Sequence, residues 1–212
     1  MTISHDQFVA WITNYAGVIR ENKTFLTELD SAIGDADHGI NMDRGFQAVL
    51  VKLPAFSNQD ISSVAKNVGM TLISTVGGAS GPLYGTFFMQ IGKEAAGKSE
   101  LTLDDWAKAL ESAVNGVIRL GKANLGDKTM LDSLVPALNT LKECSAKGTS
   151  LAVALSESEK AAEQGMQSTI PLVAKKGRAS YLGERSAGTQ DPGATSSYLL
   201  LKTARSTWSD AA

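Results

Sequence analysis

Helical spacing of apolar residues is the feature that most restricts the fold of this chain. Apolar side chains recur three and four positions apart in most segments, as in helices that bury one face. Residues 151–155 (LAVAL) are too short to decide between helix and strand, and no other stretch alternates convincingly with a period of two. Seven or eight helices joined by short turns predict an all-α fold of bundle type, with residues 1–212 forming one domain.

Capping residues predict where several helices begin. Ser4 and Gln7 fit a capping box at the start of a helical pattern that continues to Gly34. Further helices are predicted from these starting points: residue 39, Asp60, Pro82, Thr102 (with Asp105 near its third position), Asp127, Ser150 and Asp191.

Proline and glycine limit the last two helices. Pro171 lies inside the helical pattern of residues 150–176 and is expected to kink or break its end. A polar, glycine-rich stretch follows at 177–189. Asp191 and Pro192 then fit the N-cap and first position of the final helix.

Composition and charge exclude several function classes. The 212 residues are 43% hydrophobic and 20% charged, and a net charge of −2 offers no footprint for nucleic acid or an anionic membrane. Cys144 is the only cysteine, which excludes an internal disulfide and a thiolate metal cluster. No apolar run is long enough to span a bilayer, and the N-terminus has no secretory signal. We therefore expect a cytoplasmic protein without direct contact to nucleic acid or membrane.

An acidic stretch is the first candidate for chemistry. Asp30, Asp35 and Asp37 lie within eight residues, with no Lys or Arg between Asp30 and Arg44. On a continuous helix Asp30 and Asp35 would lie about 140° apart, so the helix must stop at Gly34 for them to share an ion. Oxygen ligands without cysteine suit Mg²⁺ or Ca²⁺. A solvated acidic loop between two helices is the alternative, and this stretch alone does not decide.

Two better-known motifs do not fit. In a calcium loop starting at Asp35, Ile40 would replace the required glycine and Phe46 the required glutamate. The stretch 116–123 resembles a phosphate-binding P-loop, but Ala123 replaces the Ser or Thr that would bind Mg²⁺, and no predicted strand precedes it.

Polar helix starts that carry glycine offer backbone N–H groups for phosphate, which the aspartates cannot bind by themselves. Residues 77–82 (GGASGP), 38–41 (HGIN) and 191–193 (DPG) each open a predicted helix. Helix N-termini favour phosphate because their free N–H groups and the macrodipole attract anions. Combined with three aspartates, these starts predict a site for a Mg²⁺–nucleotide complex.

Four strings carry a family resemblance: GDADHG at 34–39, GGASGPLYGTFF at 77–88, GDKTM at 126–130 and KGRASYLGERSAGTQDPGA at 176–194. Over nearly its full length the chain resembles the nucleotide-binding (L) subunits of dihydroxyacetone kinases. The resemblance implies an antiparallel barrel of eight helices with ADP or ATP bound at one end.

The resemblance also implies roles for individual residues. Asp30, Asp35 and Asp37 would hold two Mg²⁺ ions against the phosphates, and with Arg178 they form the expected catalytic group. The remaining nucleotide contacts would come from these residues: His38, Gly39, Ile40, Asn41, Ala79 and Ser80 at the phosphates, Gly121 and Met130 at the adenine, and Arg178, Asp191, Pro192 and Gly193 elsewhere on the nucleotide.

The implied reaction is phosphoryl transfer to dihydroxyacetone held by a separate subunit, so this chain should be inactive alone. Its stand-alone length favours the phosphoenolpyruvate-dependent type, in which a phosphotransferase-system protein recharges the bound ADP. Two alternatives use the same site. One is a regulatory module that acts on a transcription factor according to its nucleotide state. The other is the ATP-binding subunit of a kinase with another acceptor.

Overall fold

The computed structural model describes residues 1–209, and residues 210–212 lie outside the described part, so one domain over 1–212 stays a prediction. The described α-helices are α1 (His5–Glu21), α2 (Lys23–Ile33), α3 (His38–Lys52), α4 (Ile61–Thr75), α5 (Ser80–Glu94), α6 (Leu103–Gly121), α7 (Leu131–Ala146), α8 (Leu151–Ser168) and α9 (Pro192–Ser209). Short 3-10 segments at Leu53–Ala55 and Arg178–Ser186, and the two-residue strands β1 (Ile3–Ser4) and β2 (Glu100–Leu101), complete the regular structure.

The helices close into a ring. Helix α1 packs on α3, each helix from α3 to α8 packs on its successor, and α9 contacts both α8 and α1. Since α1 and α2 both contact α3 and α9, they occupy one position of the ring in succession. Eight positions around a common hydrophobic interior confirm the predicted all-α barrel. None of the described helices is long and apolar enough to cross a membrane.

Local signals located most helix starts correctly. The capping boxes at Ser4 and Thr102 are present, and the Asp60 side chain accepts a hydrogen bond from the backbone N–H of Ser63 at 2.8 Å. Helix α8 ends at Ser168, before Pro171, so the predicted break is confirmed.

One unbroken helix up to Gly34 was wrong. The Asn22 side chain donates to the carbonyl of Val18 at 2.8 Å, and its backbone N–H donates to the same oxygen at 3.0 Å. The backbone of Asn22 then leaves helical geometry, with φ −95° and ψ 6°, so α1 ends there before α2 begins. The strands β1 and β2 pair antiparallel, with Ile3 opposite Leu101, but two residues are too short to show a strand period in sequence.

The prediction that Asp127 caps a helix was also wrong. Its carboxylate accepts a hydrogen bond from the backbone N–H of Asn124 at 2.8 Å, and α7 begins only at Leu131. Gly126 and Lys128 have φ values of 86° and 62°, so no right-handed helix can pass through them. This turn instead carries Lys128 into the interior.

Three tryptophans join α1, α6 and α9 at the far end of α9. Their ring centroids lie 4.9 to 5.6 Å apart in edge-to-face arrangements, in the pairs Trp106–Trp208, Trp11–Trp208 and Trp11–Trp106. Trp208 lies sixteen residues after Pro192, about 24 Å along the helix axis. The aromatic cluster therefore holds one end of the barrel, while the start of α9 lies at the other.

Helices α4 and α5 cross where each carries a glycine. A Cβ atom on Gly69 would lie 2.7 Å from the carbonyl oxygen of Gly85, and one on Gly85 would lie 2.9 Å from the carbonyl oxygen of Gly69. Two backbones can approach this closely only without side chains between them.

We expect Gly69→Ala to lower the free energy of unfolding by about 1–3 kcal/mol, because the added methyl group forces the two backbones apart. Gly17→Ala is the matched control, since a Cβ atom on this α1 glycine meets nothing within 4 Å. It should raise the free energy of unfolding by up to about 1 kcal/mol through the lower flexibility of alanine. Urea unfolding followed by circular dichroism measures both; equal effects would contradict the close crossing.

Candidate nucleotide and metal site

A cavity of about 370 Å³ lies at the end of the barrel where several helices begin, a size typical of small-molecule sites. Its walls come from the starts of α3, α5, α7 and α9, the ends of α2 and α6, and the segment 176–179. Four helix N-termini therefore face one space, which favours an anionic ligand.

The three aspartates meet at the edge of this cavity. One carboxylate oxygen from each of Asp30, Asp35 and Asp37 lies within 4.8 Å of the others. Asp30 fixes the turn, because its Oδ2 accepts hydrogen bonds from the backbone N–H groups of Asp37 at 2.8 Å and His38 at 3.1 Å. The helix stop that was required for a shared ion is present.

Gly34 allows this turn to form. A Cβ atom at this position would lie 2.1 Å from Oδ1 of Asp30, so any side chain would displace the carboxylate. Ala36 adopts a left-handed φ of 60°, which reverses the chain between Asp35 and Asp37. The backbone thus keeps the three carboxylates together despite their repulsion.

Arg178 supplies positive charge beside the aspartates. Its Nε lies 2.8 Å from Oδ2 of Asp35, in an ion pair exposed enough for its arginine to reach a ligand. One cation against three carboxylates leaves net negative charge at this edge. Three hard oxygen donors this close together suit a hard cation such as Mg²⁺ in their chemistry.

His38 connects three helix starts beneath the aspartates. One ring nitrogen lies 3.1 Å from Oγ of Ser80 and the other 2.9 Å from Oγ of Ser196. Burial lowers the pKa of His38 to about 4, although Asp30 and Asp37 act in the opposite direction. The ring is therefore neutral at pH 7, with one nitrogen donating and one accepting, and it fixes the hydroxyl of Ser80 at the cavity wall.

Most of the predicted site residues line the cavity, namely Asp30, Asp35, Asp37, His38, Ala79, Ser80, Gly121, Met130, Arg178, Asp191, Pro192 and Gly193. Gly39, Ile40 and Asn41 do not. Gly39 is pressed against α2, where a Cβ atom would lie 2.1 Å from the carbonyl oxygen of Lys23; Ile40 is 45% exposed. The Asn41 side chain accepts a hydrogen bond from Arg44 at 2.7 Å. Any contribution from Gly39 and Ile40 to phosphate binding would come from their backbone N–H groups in the first turn of α3.

Sequence reasoning missed the apolar wall of the cavity. Leu83, Val117, Ala123 and Leu131 line it beside the predicted Gly121 and Met130. Leu83, Val117 and Leu131 belong to helices with ordinary apolar patterns, and Ala123 is a small residue in a turn, so nothing in the sequence marks them as cavity residues. Together they form a surface suited to a flat heterocycle.

Four polar residues of the cavity were also missed: Tyr84, Lys128, Thr129 and Lys176. The hydroxyl of Tyr84 lies 2.7 Å from Oγ of Ser196, which extends the network of His38. Lys128 and Thr129 belong to the GDKTM string, but the helix predicted there concealed their position. Only the left-handed turn at Lys128 brings them to the site.

Asp191 caps α9 from inside the protein. Its Oδ2 accepts a hydrogen bond from the backbone N–H of Ala194 at 2.6 Å, and its own N–H donates to Oγ1 of Thr169 at 2.9 Å. Burial raises the pKa of the Asp191 carboxyl to about 7; Asp132 also raises it, while the Ala194 N–H group and Lys128 lower it.

This pKa predicts how pH affects stability. Because the pKa of about 7 lies above the ordinary 3.8, the folded protein favours the protonated carboxyl. The contribution of this group to the free energy of unfolding is complete below pH 3.8 and is lost as the pH rises through 7. Compared with Asp191→Asn, whose amide does not titrate, the wild type should lose up to about 1.4 kcal/mol per pH unit between the two pKa values. Urea unfolding of nucleotide-free protein at pH 5 and pH 8 measures the difference.

Asp104→Asn is the control for this experiment, because Asp104 is exposed in a surface pair with Lys108. Its stability should follow that of the wild type at both pH values. Parallel pH dependence of the wild type and Asp191→Asn would contradict a raised pKa at Asp191.

The fold and the site together define a helical barrel with an acidic, glycine-rich cavity for an anionic ligand at one end. Residues 32–206 match the model of the DAK2 domain. This chain belongs to the DAK2-domain family.

Curated relatives match almost end to end. The chain is 48% identical over 202 residues to the PEP-dependent dihydroxyacetone kinase, ADP-binding subunit DhaL, of Escherichia coli (strain K12), covering 95% of this chain and 96% of that protein. It is 42% identical to a corresponding subunit of Listeria innocua, covering 90% of this chain and 88% of that protein. It is also 40% identical to the PTS-dependent dihydroxyacetone kinase, ADP-binding subunit DhaL, of Lactococcus lactis, covering 93% and 95%.

Two solved structures share the fold. The native dihydroxyacetone kinase of C. freundii aligns with a TM-score of 0.71 at 23% identity, covering 92% of this chain and 33% of that chain. The same kinase in complex with AMP-PNP and Mg²⁺ aligns with a TM-score of 0.69, also at 23% identity, covering 96% and 34%. The chain thus spans about a third of these longer proteins, and the match establishes the helical fold.

Proposed function

We propose that this chain is the ADP/ATP-binding subunit of a phosphoenolpyruvate-dependent dihydroxyacetone kinase, which transfers a phosphoryl group from its bound nucleotide to dihydroxyacetone on a separate subunit. The observation that carries the proposal is the meeting of three carboxylates with four helix N-termini around one cavity. The relatives named as ADP-binding subunits of such kinases support it.

The phosphates would lie between the aspartates and the helix starts. Free N–H groups in the first turns of α3 and α5 would donate to phosphate oxygens. Ser80 would add a hydroxyl whose position is fixed by His38 at 3.1 Å. Phosphoryl transfer needs charge neutralisation and in-line positioning more than covalent chemistry, and this arrangement offers both.

Asp30, Asp35 and Asp37 would hold the metal, and we propose two Mg²⁺ ions, as the family resemblance implies. Bound Mg²⁺ would neutralise negative charge on the phosphate oxygens. Asp30 would also keep the turn closed through its two backbone hydrogen bonds. Arg178, already paired with Asp35, would lend positive charge to the transferring group.

The adenine would lie against the apolar wall. Gly121 and Met130 are the predicted contacts, and Leu83 lies so close to Gly121 that a Cβ atom there would be 3.4 Å from its Cδ2. A small residue at 121 leaves room for a flat ring between α5 and α6.

The acceptor and the phosphoryl donor would come from other proteins. We propose that a dihydroxyacetone-binding subunit docks over the aspartates and that a phosphotransferase-system protein recharges the bound ADP, both in the cytoplasm. Names of relatives that describe PEP-dependent and PTS-dependent kinases support this arrangement. A transcription factor as an additional partner would use the same site, and no contact among residues 1–209 favours that role over the kinase role.

Asp35→Ala should abolish Mg²⁺-dependent retention of nucleotide. Asp35 makes no backbone contact that holds the turn, so its loss removes a metal ligand and leaves the turn of Asp30 in place. Loss of a ligand should cost at least as much as loss of its supporting partner, roughly 10- to 100-fold in metal affinity. Equilibrium dialysis of ADP with and without Mg²⁺ measures this, with the exposed Asp104→Ala as control. Normal ADP occupancy in Asp35→Ala would disprove the metal assignment.

Arg178→Met should slow triose phosphate formation by roughly 100-fold or more, since arginine stabilises the charge of the transition state. The assay combines this chain with a dihydroxyacetone-binding subunit and a recharging phosphotransferase system. Arg185→Met is the control, because Arg185 is exposed in the same 3-10 segment. If the wild type forms no product with either ATP or the recharging system, the kinase proposal falls.

A further inference from the structure

Lys128 is a buried cation without a carboxylate partner in its hydrogen bonds. Its side chain is 1% exposed, and its Nζ donates to four backbone carbonyls: Thr189 at 2.6 Å, Ser186 at 2.7 Å, Thr169 at 2.9 Å and Leu172 at 3.1 Å. An ammonium group has three N–H donors, so all of them are used and one is shared. Burying such a charge is costly unless its hydrogen bonds are satisfied, and here they are.

The four carbonyls belong to the two ends of one segment. Thr169 and Leu172 follow α8, while Ser186 and Thr189 precede α9. Between these ends the chain leaves the barrel, forms a 3-10 segment and returns. Lys128 therefore holds the two ends of residues 169–189 together, through carbonyl oxygens up to twenty residues apart in sequence.

The same segment forms part of the nucleotide cavity. Residues 176–179 line it, and Arg178 forms its ion pair with Asp35 at 2.8 Å. Lys128 and the two residues that follow it, Thr129 and Met130, also line the cavity. One turn thus contributes to the cavity directly and holds the base of the segment that carries the arginine.

The oxygen atoms around Nζ resemble a cation site. Rings of backbone carbonyls can replace the hydration shell of a monovalent cation. Here the ammonium group of Lys128 occupies that position. Burial lowers the pKa of Lys128, while Asp191 acts in the opposite direction; the carbonyls accept hydrogen bonds but provide no negative charge.

We propose that Lys128 is a positioning residue for phosphoryl transfer. Its ammonium group occupies a monovalent-cation cage, formed by the carbonyl oxygens of Thr169, Leu172, Ser186 and Thr189. The filled cage holds residues 169–189, and thereby Arg178, at the nucleotide site. The link to phosphoryl transfer rests on the proposed function. The cage itself rests only on the contacts of Lys128.

The first test removes the cation. Lys128→Ala, in nucleotide-free protein, should increase tryptic cleavage within the segment, at Lys175, Lys176, Arg178 and Arg185, by about tenfold or more, which corresponds to ~1.4 kcal/mol of lost closure. Mass spectrometry locates the cuts. Lys147→Met, at an exposed helix end, is the control and should be cleaved there like the wild type.

The second test returns a cation. Ammonium or potassium chloride should restore slow cleavage of Lys128→Ala in a saturable way, because the alanine leaves room for the ion among the four carbonyls. Ser186→Ala should also loosen the segment, since Oγ of Ser186 accepts from the backbone N–H of Ala174 at 2.8 Å. These salts should not restore slow cleavage of Ser186→Ala, because Lys128 still fills the cage in that variant.

The third test connects the cage to the site. ADP should dissociate from Lys128→Ala at least about tenfold faster in the presence of Mg²⁺, and ammonium should slow that dissociation again. If Lys128→Ala is cleaved no faster than the wild type, or if no salt slows its cleavage, the proposed cation cage is wrong. Faster cleavage with unchanged ADP release would overturn the positioning role.

Failure of the proposed function would look different, since the wild type would not retain ADP while the cleavage results stood. If Lys128→Ala does not fold, Lys128→Gln replaces it, keeping two N–H donors without the charge. Its segment should be cleaved at a rate between those of the wild type and of Ser186→Ala. Cleavage equal to that of the wild type would overturn the requirement for a cation.

Discussion

Mutual repulsion of three carboxylates at the turn between α2 and α3 is the constraint on which the rest of the site depends. Their oxygen atoms approach within 4.8 Å because Asp30 accepts two backbone hydrogen bonds and Gly34 leaves room for its carboxylate. Positive charge beside such a turn offsets the repulsion. Arg178 and the helix N-termini supply positive charge here, and a bound divalent cation would add to it. All three also suit a nucleotide phosphate.

Closure of the helical ring brings these charges together. The start of α9 meets the starts of α3 and α5 because α9 returns to α1 after the chain has passed around the barrel. His38 then joins all three starts through Ser80 and Ser196, and it does so as a neutral ring. Beside the start of α9, Lys128 binds carbonyls at both ends of the segment that carries Arg178. Fixed dipoles and buried charges thus surround the space where phosphate would bind.

Features that depend on neighbours along the chain could be predicted from sequence. The capping boxes at Ser4 and Thr102 involve residues three positions apart, and both are present. The sequence predicts Gly34 as the helix stop that allows the aspartates to meet, and α2 does end at this glycine. Asp127 also had the composition of a cap, yet the left-handed backbone of Lys128 prevents a helix there. Capping patterns consider only neighbouring residues, whereas the left-handed conformation of Lys128 is stabilised by hydrogen bonds to carbonyls far away in sequence.

The sequence by itself determined the all-helical class and most helix starts, because those features arise from contacts within about one helical turn. It also contains the acidic turn and the glycine-bearing helix starts, but their meeting depends on closure of the ring. Tertiary structure alone decided that α1 and α2 share one ring position, that Leu83 and Val117 line the cavity as well as packing in the core, and that Lys128 holds a segment beginning 41 residues later. Those outcomes depend on which surfaces meet when the ring closes. Apolar spacing shows that a face is buried, but it does not identify what that face contacts.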